Sequence, residues 1–143
     1  MNVVKKALVS KEVKEAFDVL DELRILLKTE AQKTGHSIEA FESLYKQIEH
    51  VWLSDSKTVV STIHKGISPR QLAYSAIANL AGDYLESGDY HMYRGVLNPL
   101  GLGNDFLNLF DMAVETLLKD GVISEKDSKE QKQAIRENIR YIG

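Results

Sequence analysis

Apolar residues at Val9, Val13, Ala16, Leu20, Leu23 and Leu27 recur at spacings of 4, 3, 4, 3 and 4. That rhythm matches the 3.6-residue turn of an α-helix. It commits the chain to one long amphipathic helix whose apolar face needs a cover. Phe17, Ile25 and Leu26 are expected to widen the stripe beyond a coiled-coil seam, and Lys11, Glu15, Asp18, Asp21, Glu22 and Lys28 form the polar face. Residues 30–34 are expected to fray. Gly35 supplies the stop, because glycine enters the left-handed region without a steric penalty.

A second stripe follows at once. Ile38, Phe41, Tyr45, Ile48 and Trp52 stand at spacings of 3, 4, 3 and 4 behind Ser37, a good N-cap. A short joint between two such stripes predicts an antiparallel helical hairpin. Trp52 reads as a core residue at the end of its helix, with a binding anchor as the alternative. Ser54 is expected to cap a short third helix with Val59, Val60 and Ile63 on its apolar side, ended by Gly66. Ser68-Pro69-Arg70-Gln71 is a capping box with proline at the first helical position, and Ile67 and Leu72 stand where a hydrophobic staple sits. The fourth helix then runs through Ala73, Ile77, Leu80, Ala81 and Tyr84 toward a stop at Ser87-Gly88. Its small residues Ala73, Ala76, Ala78, Ala81 and Gly82 allow a neighbour to come close.

Beyond residue 100, a helix from about Asn104 to Lys119 presents Phe106, Phe110, Ala113, Val114, Leu117 and Leu118, and Gly121 ends it. Ser124 with Asp127 opens a last helix. It is expected from Glu125 to Glu137 and is highly charged, with a thin stripe of Ala134, Ile135, Ile139 and Ile142. The expected fold class is therefore all-α. It is a six- to seven-helix bundle with an N-terminal antiparallel hairpin and a C-terminal helical half, one domain over 1–143, with a subdomain joint near 54–68.

Composition narrows function mainly by exclusion. The chain has no cysteine, which removes disulfides, thiolate metal sites and a cysteine nucleophile. A net charge of −3 gives no overall basic footprint for nucleic acid. The opening MNVVKKALVSKEVKEAF lacks the uninterrupted apolar run of a secretory signal, and no stretch approaches the roughly 18 apolar residues of a membrane span. A cytoplasmic location and no membrane partner are expected.

YLESGDYHMYRGVLNPLGLGND, Tyr84 to Asp105, supports two readings. Asp89, Tyr90, Tyr93, Arg94 and Leu97 fit a short helix that Asn98-Pro99 ends, because a residue before proline leaves the helical region. Gly101 and Gly103 then precede Asn104, read as the cap of the next helix. On this reading the stretch is a corner between helices. On the other it is a ligand or partner surface made of Tyr90, His91, Tyr93, Arg94 and Asn104. Aromatic rings and a guanidinium would face a glycine-flanked helix N-terminus that attracts anions. Overlapping it, AIANLAGDYLESGDYHMYRGVLNP (Ala76 to Pro99) resembles one tetratricopeptide unit. Ala81, Tyr84, Leu85, Gly88, Tyr90 and Pro99 fall near that pattern's small, aromatic, glycine and proline positions. The resemblance implies a helical hairpin there. No second copy stands at the 34-residue period of such repeats.

Motifs for chemistry are scarce. No two of His36, His50, His64 and His91 stand three or four apart, and there is no His-Glu-x-x-His. No Gly-x-Ser-x-Gly elbow or Gly-Lys-Ser/Thr phosphate loop is present. The expectation is no metal, no cofactor and no catalytic residue. The leading functional reading is a non-enzymatic helical protein–protein interaction or adaptor protein, its partner a second copy or another protein. One alternative is a small-ligand-binding or catalytic protein with its site at the Tyr84–Asp105 corner. Another is a DNA-binding regulator using the C-terminal helices, because LLKDGVISEKDSKEQKQAI has a helix–turn–helix outline. Its lysines are interleaved with acids, which suits a solvated face better than a phosphate track.

Overall fold

The computed structural model describes the backbone of residues 10–35, 38–86 and 102–142, and all of their side chains except 86, 102–104, 136 and 138–142. Six helices fall within these residues: α1 (Lys11–Thr34), α2 (Glu39–Ser54), α3 (Ser56–His64), α4 (Pro69–Glu86), α5 (Leu102–Lys119) and α6 (Glu125–Ile142). There is no strand among the described residues, so the chain is all-α as expected. It divides into two compact units between Ala73 and Tyr74, inside α4. Residues 54–68, where the sequence suggests a joint, lie in the first unit.

The first unit is built on the α1–α2 hairpin. Ser10 caps α1 by accepting the Val13 N–H at 3.4 Å, and Gly35 ends it at φ 76°. Val13, Ala16, Phe17, Leu20 and Leu23 are buried on one side, and Phe41, Leu44, Tyr45, Ile48 and Trp52 on the other. Phe17 meets the edge of Trp52 with ring centroids 5.1 Å apart. Arg24 pairs with Glu42, Asp21 with Tyr45, and Phe17 with Trp52. As numbers fall on α1 they rise on α2, which makes the hairpin antiparallel. Trp52 is 4% exposed and belongs to the core.

Several boundaries differ from expectation. Residues 30–34 stay helical, and the Thr29 and Thr34 hydroxyls donate to the Ile25 and Glu30 carbonyls. α2 opens after Ile38 with no side-chain cap, and Ser37 lies outside the described residues. Ser54 closes α2 instead of opening α3, its hydroxyl donating to the Val51 carbonyl at 3.2 Å. The cap position of α3 is Asp55.

α3 ends at Gly66, φ 109°, where the Gly66 N–H reaches the Ile63 carbonyl and the Ile67 N–H the Thr62 carbonyl. This double bond pattern satisfies carbonyls that a helix end leaves orphaned. Ser68 then accepts the Gln71 N–H at 3.0 Å and α4 starts at Pro69, as its capping sequence predicts.

In the second unit, Tyr84 stacks on Phe106 with centroids 4.6 Å apart and planes 18° from parallel. Phe106, Leu109, Phe110, Ala113, Val114 and Leu117 of α5 are buried. A Cβ on Gly82 would lie 3.3 Å from the Phe110 ring, so the small residue of α4 does admit a close neighbour. Gly121, φ 77°, repeats the ending of α3, with Gly121 N–H to Leu118 and Val122 N–H to Leu117. Ser124 accepts the Asp127 N–H at 3.1 Å to open α6, which pairs Lys132 with Glu115 of α5. α6 runs to Ile142, beyond the expected end at Glu137. It buries Ile135 and Ser128 and leaves Ala134 exposed.

Candidate functional site

Of the surface read from sequence, Tyr90, His91, Tyr93 and Arg94 lie outside the described residues. Asn104 falls in the first turn of α5, which begins at Leu102. Asn104 is therefore not the N-cap: the helical hydrogen-bonding pattern starts two residues earlier and takes Gly103 into the helix.

The described residues hold three other features that could bear on function. The first is a polar clasp on the hairpin. Arg24 donates to both carboxylate oxygens of Glu42, at 2.7 and 2.5 Å, and its guanidinium lies 4.3 Å from the centre of the Tyr45 ring. The Tyr45 hydroxyl donates to Asp21 at 2.5 Å. Hydrogen bonding from Arg24 holds the Glu42 carboxyl below its ordinary range despite partial burial, and Glu42 in turn raises the guanidinium. Each charge has its partner, so the clasp aligns two helices and offers no unpaired group to a ligand.

The second feature is apolar. Ile25 and Leu26 were expected to widen the buried stripe, and they do not: they are 65% and 63% exposed. At about 100° per residue both point more than ~120° away from the centre of the Val13–Leu23 face. They stand on an outer strip of α1 with Asp18, Glu22, Thr29 and Lys33, all exposed. Within about two turns of the apolar pair the strip is acidic before it and basic after it.

The third is a groove of about 560 Å³ lined by Ser10, Ser56, Lys57, Val60, Ser61, His64 and Lys65. Six of these belong to α3 and its C-cap. Lys57, Ser61 and Lys65 form one row at four-residue spacing, and Ser56, Val60 and His64 form the adjoining row. Glu12 of α1 bonds the His64 Nε2 at 3.3 Å. The Glu12 carboxyl is held below its ordinary range, first by its backbone hydrogen bond and then by bonds from His64 and Ser10. No carboxylate lines the groove. Motif spacing did not reveal this feature, but a plainer signal was available. Residues 56–82 contain no Asp or Glu in a chain that has 21 of them, while Lys57, Lys65 and Arg70 remain.

Among the described residues no three His, Asp or Glu side chains come together to hold a metal ion, and no helix is long and apolar enough to cross a membrane. No family model, curated protein or solved structure matches the chain.

Proposed function

We propose that the protein is a non-enzymatic helical interaction protein that docks through the outer strip of α1, with a second copy of itself as the partner. The observation that supports this is the exposed pair Ile25–Leu26, placed on a helix whose inner face is already covered by α2. The flanking charges suit a two-fold partner. If two α1 helices lie antiparallel about a point between residues 25 and 26, Ile25 meets Leu26 of the other copy. Asp18 then meets Lys33 and Glu22 meets Thr29, and each contact occurs twice, as an isologous interface requires.

Magnitudes set the regime. Covering an exposed isoleucine or leucine is worth roughly 1–2 kcal/mol, so four such side chains give about 4–8 kcal/mol. Lost translational and rotational freedom costs about 4 kcal/mol or more. At most about 4 kcal/mol remains, so the association is weak, with a Kd of about 1 mM at best. The test is the molar mass across a concentration series, for the wild type and for the double variant Ile25→Glu/Leu26→Glu. The reading predicts mass that rises with concentration in the wild type alone. Equal behaviour of the two would remove it.

A further inference from the structure

We propose that the α3 groove binds a small molecule through a phosphoryl or pyrophosphoryl group. This stands independently of how the chain associates, because the groove lies on α3 and the docking strip on the outer side of α1.

The protein carries a net −3, yet the α3 sequence SKTVVSTIH and the residues following it up to Ala81-Gly82 hold no acid. Folding then gathers the two lysines of this run. Lys57 and Lys65 stand two turns apart on one row, about 12 Å along the axis, with the Ser61 hydroxyl midway between them. Both are exposed, and neither has an ion-pair partner among the described residues. Two flexible ammonium groups can close from either end on an anion seated at Ser61, and Ser56 and Ser10 add hydroxyls at the groove's edge. Because His64 is bonded to Glu12, the net positive charge of the groove comes from the lysines.

Size and chemistry narrow the ligand. The groove is open to solvent, and its volume of about 560 Å³ lies within the range of about 300–1,000 Å³ usual for small-molecule sites. The spread of the lysines suits two linked phosphoryl groups better than one. Hydroxyls and ammoniums donate hydrogen bonds to phosphate oxygens, and Lys serves as a point charge for them. Val60, half-buried in the second row, is the single apolar residue of the lining, so recognition rests on the anion and little on an apolar body.

The test is titration of the full chain with inorganic pyrophosphate, followed by amide chemical shifts, with chloride at matched ionic strength as the control. Expected are saturable shifts at Ser10 and across Ser56–Lys65, with affinity that falls as salt rises. Lys57→Gln/Lys65→Gln should weaken binding at least tenfold, and its own spectrum shows whether the fold is kept. Both lysines are exposed, so no loss of fold is expected. Absence of saturable shifts at millimolar pyrophosphate, or equal affinity in the double variant, overturns the proposal. A single-stranded oligonucleotide or anionic vesicles are added as competitors at equal phosphate. If either displaces pyrophosphate more strongly than a nucleoside diphosphate does, the ligand is a polymer or a surface and the small-molecule reading fails.

Discussion

Arg24 shows how much one side chain does in the hairpin. Its two bonds to Glu42 fix the register of α1 against α2, and its stacking on Tyr45 brings the Tyr45–Asp21 bond alongside. Both members of the Arg24–Glu42 pair keep about a third of their side-chain surface exposed, so solvent screens the attraction. Glu42→Gln should therefore cost only about 0.5–1 kcal/mol at pH 7, read by urea unfolding. The sign with pH follows from linkage. The Glu42 carboxyl is depressed in the folded state, so its contribution is complete above the unfolded value of about 4.3 and is lost as pH falls through the folded value. The variant should lose less stability than wild type between about pH 5 and pH 3. Parallel acid curves would show that Glu42 carries no linkage. Gly82 is the opposite sort of residue, useful for what it lacks. A Cβ there would already crowd Phe110 at 3.3 Å and approach Ile135 at 3.7 Å. Gly82→Val should cost about 1–3 kcal/mol by overpacking, measured as a fall in denaturation midpoint. The need for small residues in α4 was legible in the run of alanines and Gly82. The aromatic that presses on Gly82 was not, because a sequence does not say which residues meet.

At the scale of elements, the sequence was most informative where backbone chemistry is local. Gly35, Gly66 and Gly121 each adopt the positive φ that a helix stop demands, and Ser68 and Ser124 each accept the N–H three residues on. A cap needs only its own neighbours, so it can be read without the fold. Gly121→Ala should cost about 1 kcal/mol through the left-handed strain of a Cβ, and Ser68→Ala about 1 kcal/mol through an orphaned N–H. Thermal unfolding of each variant checks both values, and an unchanged Tm for Gly121→Ala would mean the turn can relax to another form. Where a cap was misplaced, the helix boundary lay within two residues of the expected one. Ser54 looked like a cap and Asp55 took the position; Asn104 looked like a cap and α5 began at Leu102. Ile25 and Leu26 are a different failure. Their apolar character drew them into the stripe by composition, while their phase on the helix sends them outward. The α3 groove is not legible by motif, because its lysines match none; its readable signal is the absence of acids around them.

The whole molecule joins two compact helical units within one chain, and its described core explains nearly all of the strong apolar periodicity. What folding leaves at the surface, among the described residues, is the adjacent pair Ile25 and Leu26 on α1, the single residues Val51 and Val122, and one acid-free helix, α3. Because Ile25 and Leu26 contribute little to the folded core, Ile25→Glu/Leu26→Glu should leave the unfolding midpoint of the monomer unchanged within about 0.5 kcal/mol. A large loss of stability would mean the pair is covered by something within its own chain. The all-α class and the antiparallel hairpin were legible because a long 3–4 rhythm has one geometric solution. The docking strip was not, since it depends on which of two helix faces the hairpin consumes. Sedimentation equilibrium of the wild-type chain, from about 0.1 to 3 mM, tests the central claim most directly, since this range brackets a Kd near 1 mM. The account predicts an average mass that climbs from 16.1 kDa toward twice that value and stays at 16.1 kDa for the double variant. A wild-type mass of 16.1 kDa at every concentration would contradict it.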